Sequence, residues 1–195
     1  MGFCEVIMNI GIDVDGVILD SETRFRAFAE IFDIENLQRG KVNPKACTFQ
    51  EIFDWDNETS DRFIDTYGYN VEKTAPLKPC AKYVIDWLKD QGHRLIVITA
   101  RGKWGKEEER ITYETFEKFG LTFDKVILNA KDKSTICLQE NIDYMIDDMP
   151  RNIISISKGG TKCLHFREVG EEVIEDNVTS VSSWAEIYKF FLKLK

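Results

Sequence analysis

No stretch of this chain approaches the roughly 20 consecutive apolar residues that a bilayer-crossing helix needs. The first twelve residues lack a basic start and run straight into a charged motif, so no secretory leader is expected. There is also no C-x-x-C pair. The five cysteines, Cys4, Cys47, Cys80, Cys137 and Cys163, are scattered and odd in number, a pattern that suggests neither a zinc site nor a disulfide framework. They are expected to be reduced residues in or near the core, where a thiol behaves as a small hydrophobe. Positive charge is scarce: 26 Lys and Arg against 34 Asp and Glu give a formal net charge of −8. That balance disfavours a nucleic-acid polymer as partner, because counterion release needs clustered cations. A small anionic substrate can still find a local positive site. There is no internal repeat and no low-complexity tract. With 195 residues, 43% hydrophobic and 12% aromatic, the chain suits one globular domain or one domain with a modest insertion. The expectation is a soluble, cytoplasmic protein without a membrane partner, with a homodimer left open.

Short apolar runs punctuate the chain. Residues 5–12 lead into Asp13-Val14-Asp15-Gly16 and read as a buried strand entering a tight turn. The β-branched run Leu-Ile-Val-Ile-Thr at 95–99 suits a strand covered on both faces, and 126–128, 144–146 and 163–166 give three more. Between them lie helical stripes. Tyr83, Val84, Trp87 and Leu88 stop at Gly92, and Ile111, Thr115, Phe116 and Phe119 stop at Gly120. Pro150 opens a helix that Gly159-Gly160 would close, and Ser183 to Glu186 has capping-box spacing before a C-terminal helix. Alternating strands and helices predict an α/β, Rossmann-like parallel sheet with helices on both faces.

The interval 20–77 breaks this rhythm. It offers short amphipathic helices around Phe25, Phe28 and Phe32, after Thr48, and around Phe63, Ile64 and Tyr67. It is too long for a loop within a compact domain, so it reads as a small helical cap inserted after the first strand. The core domain then comprises residues 1–19 and 78–195.

Three polar clusters each follow an apolar strand: Asp13/Asp15, Thr99-Ala100-Arg101 and Asp147/Asp148. In open parallel sheets ligands bind beyond the carboxyl ends of the strands, so the three should meet at one edge. Carboxylates two apart at a strand end repel each other unless a cation lies between them. A hard divalent ion such as Mg²⁺, which prefers oxygen ligands, fits Asp13, Asp15, Asp147 and Asp148. Asp13 is placed to attack phosphorus, and Asp15 to protonate the departing alkoxide and then take a proton from water. Thr99 and nearby amides would hold phosphate oxygens, with Lys133 opposing the phosphate and Asp13. Ala100 and Arg101 complete the expected substrate-binding set.

These strings resemble the motifs of the haloacid dehalogenase-like superfamily across most of the chain. Its first motif is similar to Asp13-Val14-Asp15-Gly16-Val17 and its second to Val97-Ile98-Thr99. Its motif lysine is matched by Lys133, with Lys131 a second candidate, and its acidic pair by Asp147-Asp148. The resemblance implies a Mg²⁺-dependent phosphatase working through an aspartyl-phosphate. Asp at position 15 separates phosphatases of the superfamily from its dehalogenases. It does not say which of Asp147 and Asp148 ligates the metal directly.

Cap placement, Asp132-Lys133-Ser134-Thr135 and the acidic pair look most like the 5′(3′)-deoxyribonucleotidase branch, which implies a nucleoside monophosphate substrate. The cap aromatics Phe25, Phe28, Phe49, Trp55, Phe63 and Tyr67 are then either a base-stacking platform or the cap's own core. Thr99-Ala100-Arg101-Gly102 departs from that branch and is similar to phosphatases of surface-polysaccharide pathways, which act on sugar or polyol phosphates. Arg101 either binds a second anionic group or pairs with a carboxylate. Lys103, Trp104 and Lys106 are either an entrance gate or a surface loop.

Overall fold

The computed structural model describes residues 7–102, 105–167 and 170–194. Cys4, the start of the first expected strand, and Lys103 and Trp104 lie outside the described residues. Six strands form one wholly parallel sheet in the order β3-β2-β1-β4-β5-β6. They are β1 (Asn9–Ile12), β2 (Arg94–Ile98), β3 (Lys125–Ile127), β4 (Tyr144–Asp147), β5 (Lys162–Phe166) and β6 (Val178–Val181). Five lie where the apolar runs predict them. The sixth was not legible, because an edge strand with Val181 as its one buried residue carries almost no apolar signal.

Eight helices are described: α1 (Ser21–Asn36), α2 (Phe49–Phe53), α3 (Asn57–Thr74), α4 (Ala81–Asp90), α5 (Lys106–Phe119), α6 (Lys133–Gln139), α7 (Pro150–Lys158) and α8 (Trp184–Lys193). Their ends follow the chemistry of the sequence. Gly120 closes α5 in the left-handed conformation at φ 62°, and Pro150 occupies the first turn of α7. Ser183 caps α8 by accepting from the Glu186 amide at 3.3 Å. The Glu186 carboxylate reaches the Ser182 amide at 2.7 Å instead of that of Ser183, one residue earlier than a capping box requires.

Strand parity sorts side chains into two cores. Ile10, Ile12, Leu95, Val97, Tyr144, Ile146, Leu164 and Phe166 face α4, α5 and α8. Ile96, Ile98, Met145 and Cys163 face α6 and α7. The cysteine expectation holds for the buried Cys137 and Cys163, but Cys47 is half-buried and Cys80 is exposed at a left-handed turn ahead of α4. No described helix is long and apolar enough to cross a membrane.

The chain leaves the sheet after β1 and returns before α4 through an antiparallel crossing. Asp20 N donates to Pro76 O at 2.8 Å, and Lys78 N donates to Ile18 O at 2.9 Å. Between these points α1–α3 gather a third core of Ala29, Phe32, Ala46, Ile52, Phe53, Trp55 and Phe63. Phe63, fully buried, meets the rings of Phe25, Phe32, Phe49, Trp55 and Tyr67. Phe63→Ala is therefore expected to cost about 3–5 kcal/mol, the sum of lost transfer energy and an aromatic-sized void. Urea unfolding of the variant and the parent checks this.

Candidate active site

The sheet order reverses direction between β1 and β4, the position at which open α/β sheets form a crevice. Asp13 directly follows β1, and Asp147 ends β4 with Asp148 after it. Parity puts Asp13 with Gly11 and Asp147 with Met145, on the face that α6 and α7 cover. Lys133, the first residue of α6, meets them there. Asp132 caps that helix by accepting from Thr135 N at 3.1 Å, which fixes the helix start and directs the lysine inward.

The Lys133 ammonium lies 2.9 Å from Asp13 Oδ2 and 2.6 Å from Asp147 Oδ2. Burial acts to lower the lysine pKa, but the two carboxylates outweigh it and hold the group well above its usual value. Asp147 Oδ1 also accepts from Met149 N at 2.9 Å and Asn152 Nδ2 at 3.0 Å. Asp147 is thus fully engaged by protein donors. Asn152 was missed from the sequence; its place one turn into the helix after an acidic pair is the signal that could have found it. Lys131, the alternative motif lysine, is exposed and outside the cluster.

Asp148 is different. Its carboxylate takes no hydrogen bond or ion pair among the described residues. Burial, then the charges of Asp147 and Asp13, push its pKa well up. It does not cap α7 either; that position is Met149. Carboxylate oxygens of Asp13, Asp147 and Asp148 lie within 4.8 Å of one another. Burial, with Asp147 adding to it, pushes Asp13 up to about 6 against the pull of Lys133. Carboxylates this crowded, two of them buried and the third unpartnered, are a donor set that fits a hard divalent cation. Asp148 is the free member; Asp13 Oδ1 accepts from Val14 N at 2.8 Å and its Oδ2 meets Lys133.

Asp15 does not join them. Although expected among the metal carboxylates, its side chain turns to Arg101, which donates from Nε at 2.7 Å and from Nη2 at 2.6 Å. Burial works against ionisation, yet this two-pronged contact holds the Asp15 pKa below the usual carboxylate range. Of the two readings of Arg101, the structure shows the carboxylate pair. Arg101 is 3% exposed, its guanidinium turned in toward the sheet edge. Thr99 is also buried, its Oγ1 accepting from Arg101 N at 3.3 Å, while Ala100 is exposed. Glu72 of α3, which the sequence did not mark, approaches Arg101 Nε at 4.0 Å.

All of these carboxylates except Asp147, with Thr99, Ala100, Arg101 and Lys133, line one cavity of about 400 Å³ between the sheet edge and α1–α3. Phe25, Phe49 and Ile64 form part of its opposite wall. Trp55 and Phe63 do not; they are buried among rings, with Trp55 Nε1 donating to Asp33 Oδ1 at 3.1 Å. Phe28 stacks on Tyr67 at 5.0 Å away from the cavity wall. Most of the candidate platform is thus core of the helical insertion.

No family model matches the chain. A nucleotidase of Clostridium acetobutylicum is 26% identical over 186 residues, 93% of this chain and 92% of its own length. Among solved structures, a predicted phosphatase from Clostridium acetobutylicum superposes with a TM-score of 0.67 at 19% identity, covering 96% of this chain and all of that one. A haloacid dehalogenase-like family hydrolase from Streptococcus pneumoniae gives 0.66 at 14% identity, covering 95% and 98%.

Gly16 stands at φ 75°, and a Cβ there would lie 2.0 Å from Asp148 Oδ2. Gly16→Ala is expected to displace the Asp148 carboxylate and weaken Mg²⁺ binding by about 10- to 100-fold, as lost support around metal ligands does. Titration calorimetry checks this, with circular dichroism confirming the fold. Unchanged affinity would count against Asp148 as a ligand.

Proposed function

On the fold it shares with haloacid dehalogenase-like hydrolases, we propose that this chain is a Mg²⁺-dependent phosphomonoesterase acting through an aspartyl-phosphate on Asp13. The observation that carries the reading is the Lys133 ammonium bridging Asp13 and Asp147 at the switch point, with Asp148 left unpartnered beside them. Asp13 and Asp148 would hold the cation, with Asp147 orienting Lys133. Bound there, Mg²⁺ would offset phosphate charge against the carboxylates and orient the phosphoryl group.

The residues then divide the work. A carboxylate oxygen of Asp13 attacks phosphorus as the ester oxygen leaves, and that oxygen takes a proton from Asp15. Lys133, the Thr99 hydroxyl and the amides at the strand ends stabilise the charge on the non-bridging oxygens. Water then attacks phosphorus, Asp15 takes its proton, and Asp13 is released with inorganic phosphate. As described, Asp15 is held ionised by Arg101, which suits the second half-reaction. Donation in the first half requires the carboxylate to leave Arg101 and take up a proton from solvent.

For the substrate we propose a nucleoside monophosphate. The nucleotidase relative supports this, as does the apolar wall of Phe25, Phe49 and Ile64 across about 400 Å³ of cavity. In this reading residues 20–77 are the cap that selects the leaving group.

Asp13→Asn should lower turnover by on the order of 10³-fold or more with the fold intact, and EDTA should abolish activity until Mg²⁺ is restored. Asp15→Asn should harm alkyl phosphates more than an activated aryl phosphate, whose leaving group needs less protonation. Phe25→Leu or Phe49→Leu should lower kcat/KM for nucleoside monophosphates about tenfold relative to p-nitrophenyl phosphate. Steady-state kinetics on nucleotide, sugar-phosphate and polyol-phosphate panels check all of these. Sugar or polyol phosphates outranking every nucleotide would overturn the substrate.

A further inference from the structure

Arg101 has one carboxylate too many. Its Nε and Nη2 are taken by Asp15, yet its Nη1 is buried with no hydrogen-bond partner. Oε2 of Glu72 is likewise buried without one, and it lies 4.0 Å from Arg101 Nε. A buried donor and a buried acceptor left without partners on neighbouring side chains are each costly. Arg101 extends from the loop after β2, in the sheet domain, whereas Glu72 is in the last turn of α3. The three side chains of Asp15, Arg101 and Glu72 all line the cavity.

We propose that Glu72 is a positioning residue onto which Arg101 transfers its grip, freeing the Asp15 carboxylate to turn toward the leaving-group oxygen. This rests on the acid/base role of Asp15 in the function proposed above. A guanidinium offers five N–H donors in a rigid fork, so moving it from one carboxylate to another exchanges like contacts for like. Asp15 has room to turn, because its side chain is 29% exposed toward the cavity while that of Arg101 is 1% exposed. Since Glu72 belongs to α3, the exchange couples seating of the helical insertion to release of the acid. Arg101 is then neither a substrate ligand nor a passive partner; it decides when Asp15 is available.

The test is a double-mutant cycle with two substrates. Glu72→Gln keeps the volume but removes the carboxyl that can become an anionic acceptor as Arg101 arrives, so Arg101 stays on Asp15. Its kcat on an alkyl phosphate is expected to fall about tenfold or more, within the range a general acid contributes. KM and the rate on p-nitrophenyl phosphate should change far less. In an Arg101→Met background, where nothing holds Asp15, Glu72→Gln should have no further effect. Tyr69→Phe removes a different contact between α3 and α5, the 3.1 Å bond to Glu107, and should shift both substrates alike. Additive losses in the cycle, or equal Glu72→Gln losses on both substrates, would overturn the proposal.

If Arg101→Met fails to fold, the Nε resonance of Arg101 provides a second measurement. It should move when Mg²⁺ and vanadate are added to the parent and stay in place in Glu72→Gln; an unmoved resonance in the parent overturns the exchange. Failure of Asp15→Asn to discriminate leaving groups would instead remove the acid role itself, so the two failures are distinguishable.

Discussion

Three carboxylates share the crevice of this sheet with a single ammonium group. Lys133 lies between Asp13 and Asp147, and Asp148 stands beside them without a partner. Unpaired charges in a buried site cost several kcal/mol each, and such groups either neutralise or find a counter-ion. Burial and the neighbouring carboxylates drive the Asp13 and Asp148 pKa values up. A divalent cation would remove that conflict, and the same charge would oppose an incoming phosphate dianion. The residue types and their place at the sheet edge thus answer to one electrostatic constraint.

The scaffold meets the constraint by parity and by topology. Parallel strands deliver all their carboxyl ends to one edge, and the reversal between β1 and β4 opens a gap there. Odd-numbered positions in β1 and β4 look toward α6 and α7, so Asp13 and Asp147 meet Lys133 and Asn152 with no distortion of the strands. Gly16 adds a steric condition. Its missing side chain is the space that the Asp148 carboxylate occupies. Trp184 donates to Val17 O at 2.8 Å, tying the C-terminal helix to the turn that carries Asp15.

The other charged cluster belongs as much to α1–α3 as to the sheet. Glu72 sits beside an Arg101 already neutralised by Asp15; burial first, and then the Asp15 charge, push its acid up to about 9. One guanidinium cannot balance both carboxylates at once. That mismatch makes the contact between the helical insertion and the core chemically informative, where an apolar contact would be only structural.

Apolar runs, three of them ending at Asp13, Thr99 and Asp147, made the sheet, five of its six strands and the common edge legible, because strand burial and chain reversal are local consequences of residue type. The places of Asp13, Thr99, Lys133 and Asp147 at one edge were legible for the same reason: each sits next to a strand or helix end that its own neighbours define. Spacing could not say which way a side chain turns. Asp15, two residues from Asp13, was expected beside it at the metal, but an arginine 86 residues away holds it elsewhere. Trp55 and Phe28 looked like a platform, yet only packing of α1 against α3 decides which rings face the cavity and which fill the core between helices. Glu72 had no local signal to mark it, because its role comes from partners distant along the chain, whereas Asn152 carried only its place in the first turn of the helix after the acidic pair. Local sequence determined the elements and the chemical types at their ends; the pairing of charges across elements, which depends on distances of a few ångströms between segments remote in sequence, was decided by the tertiary structure.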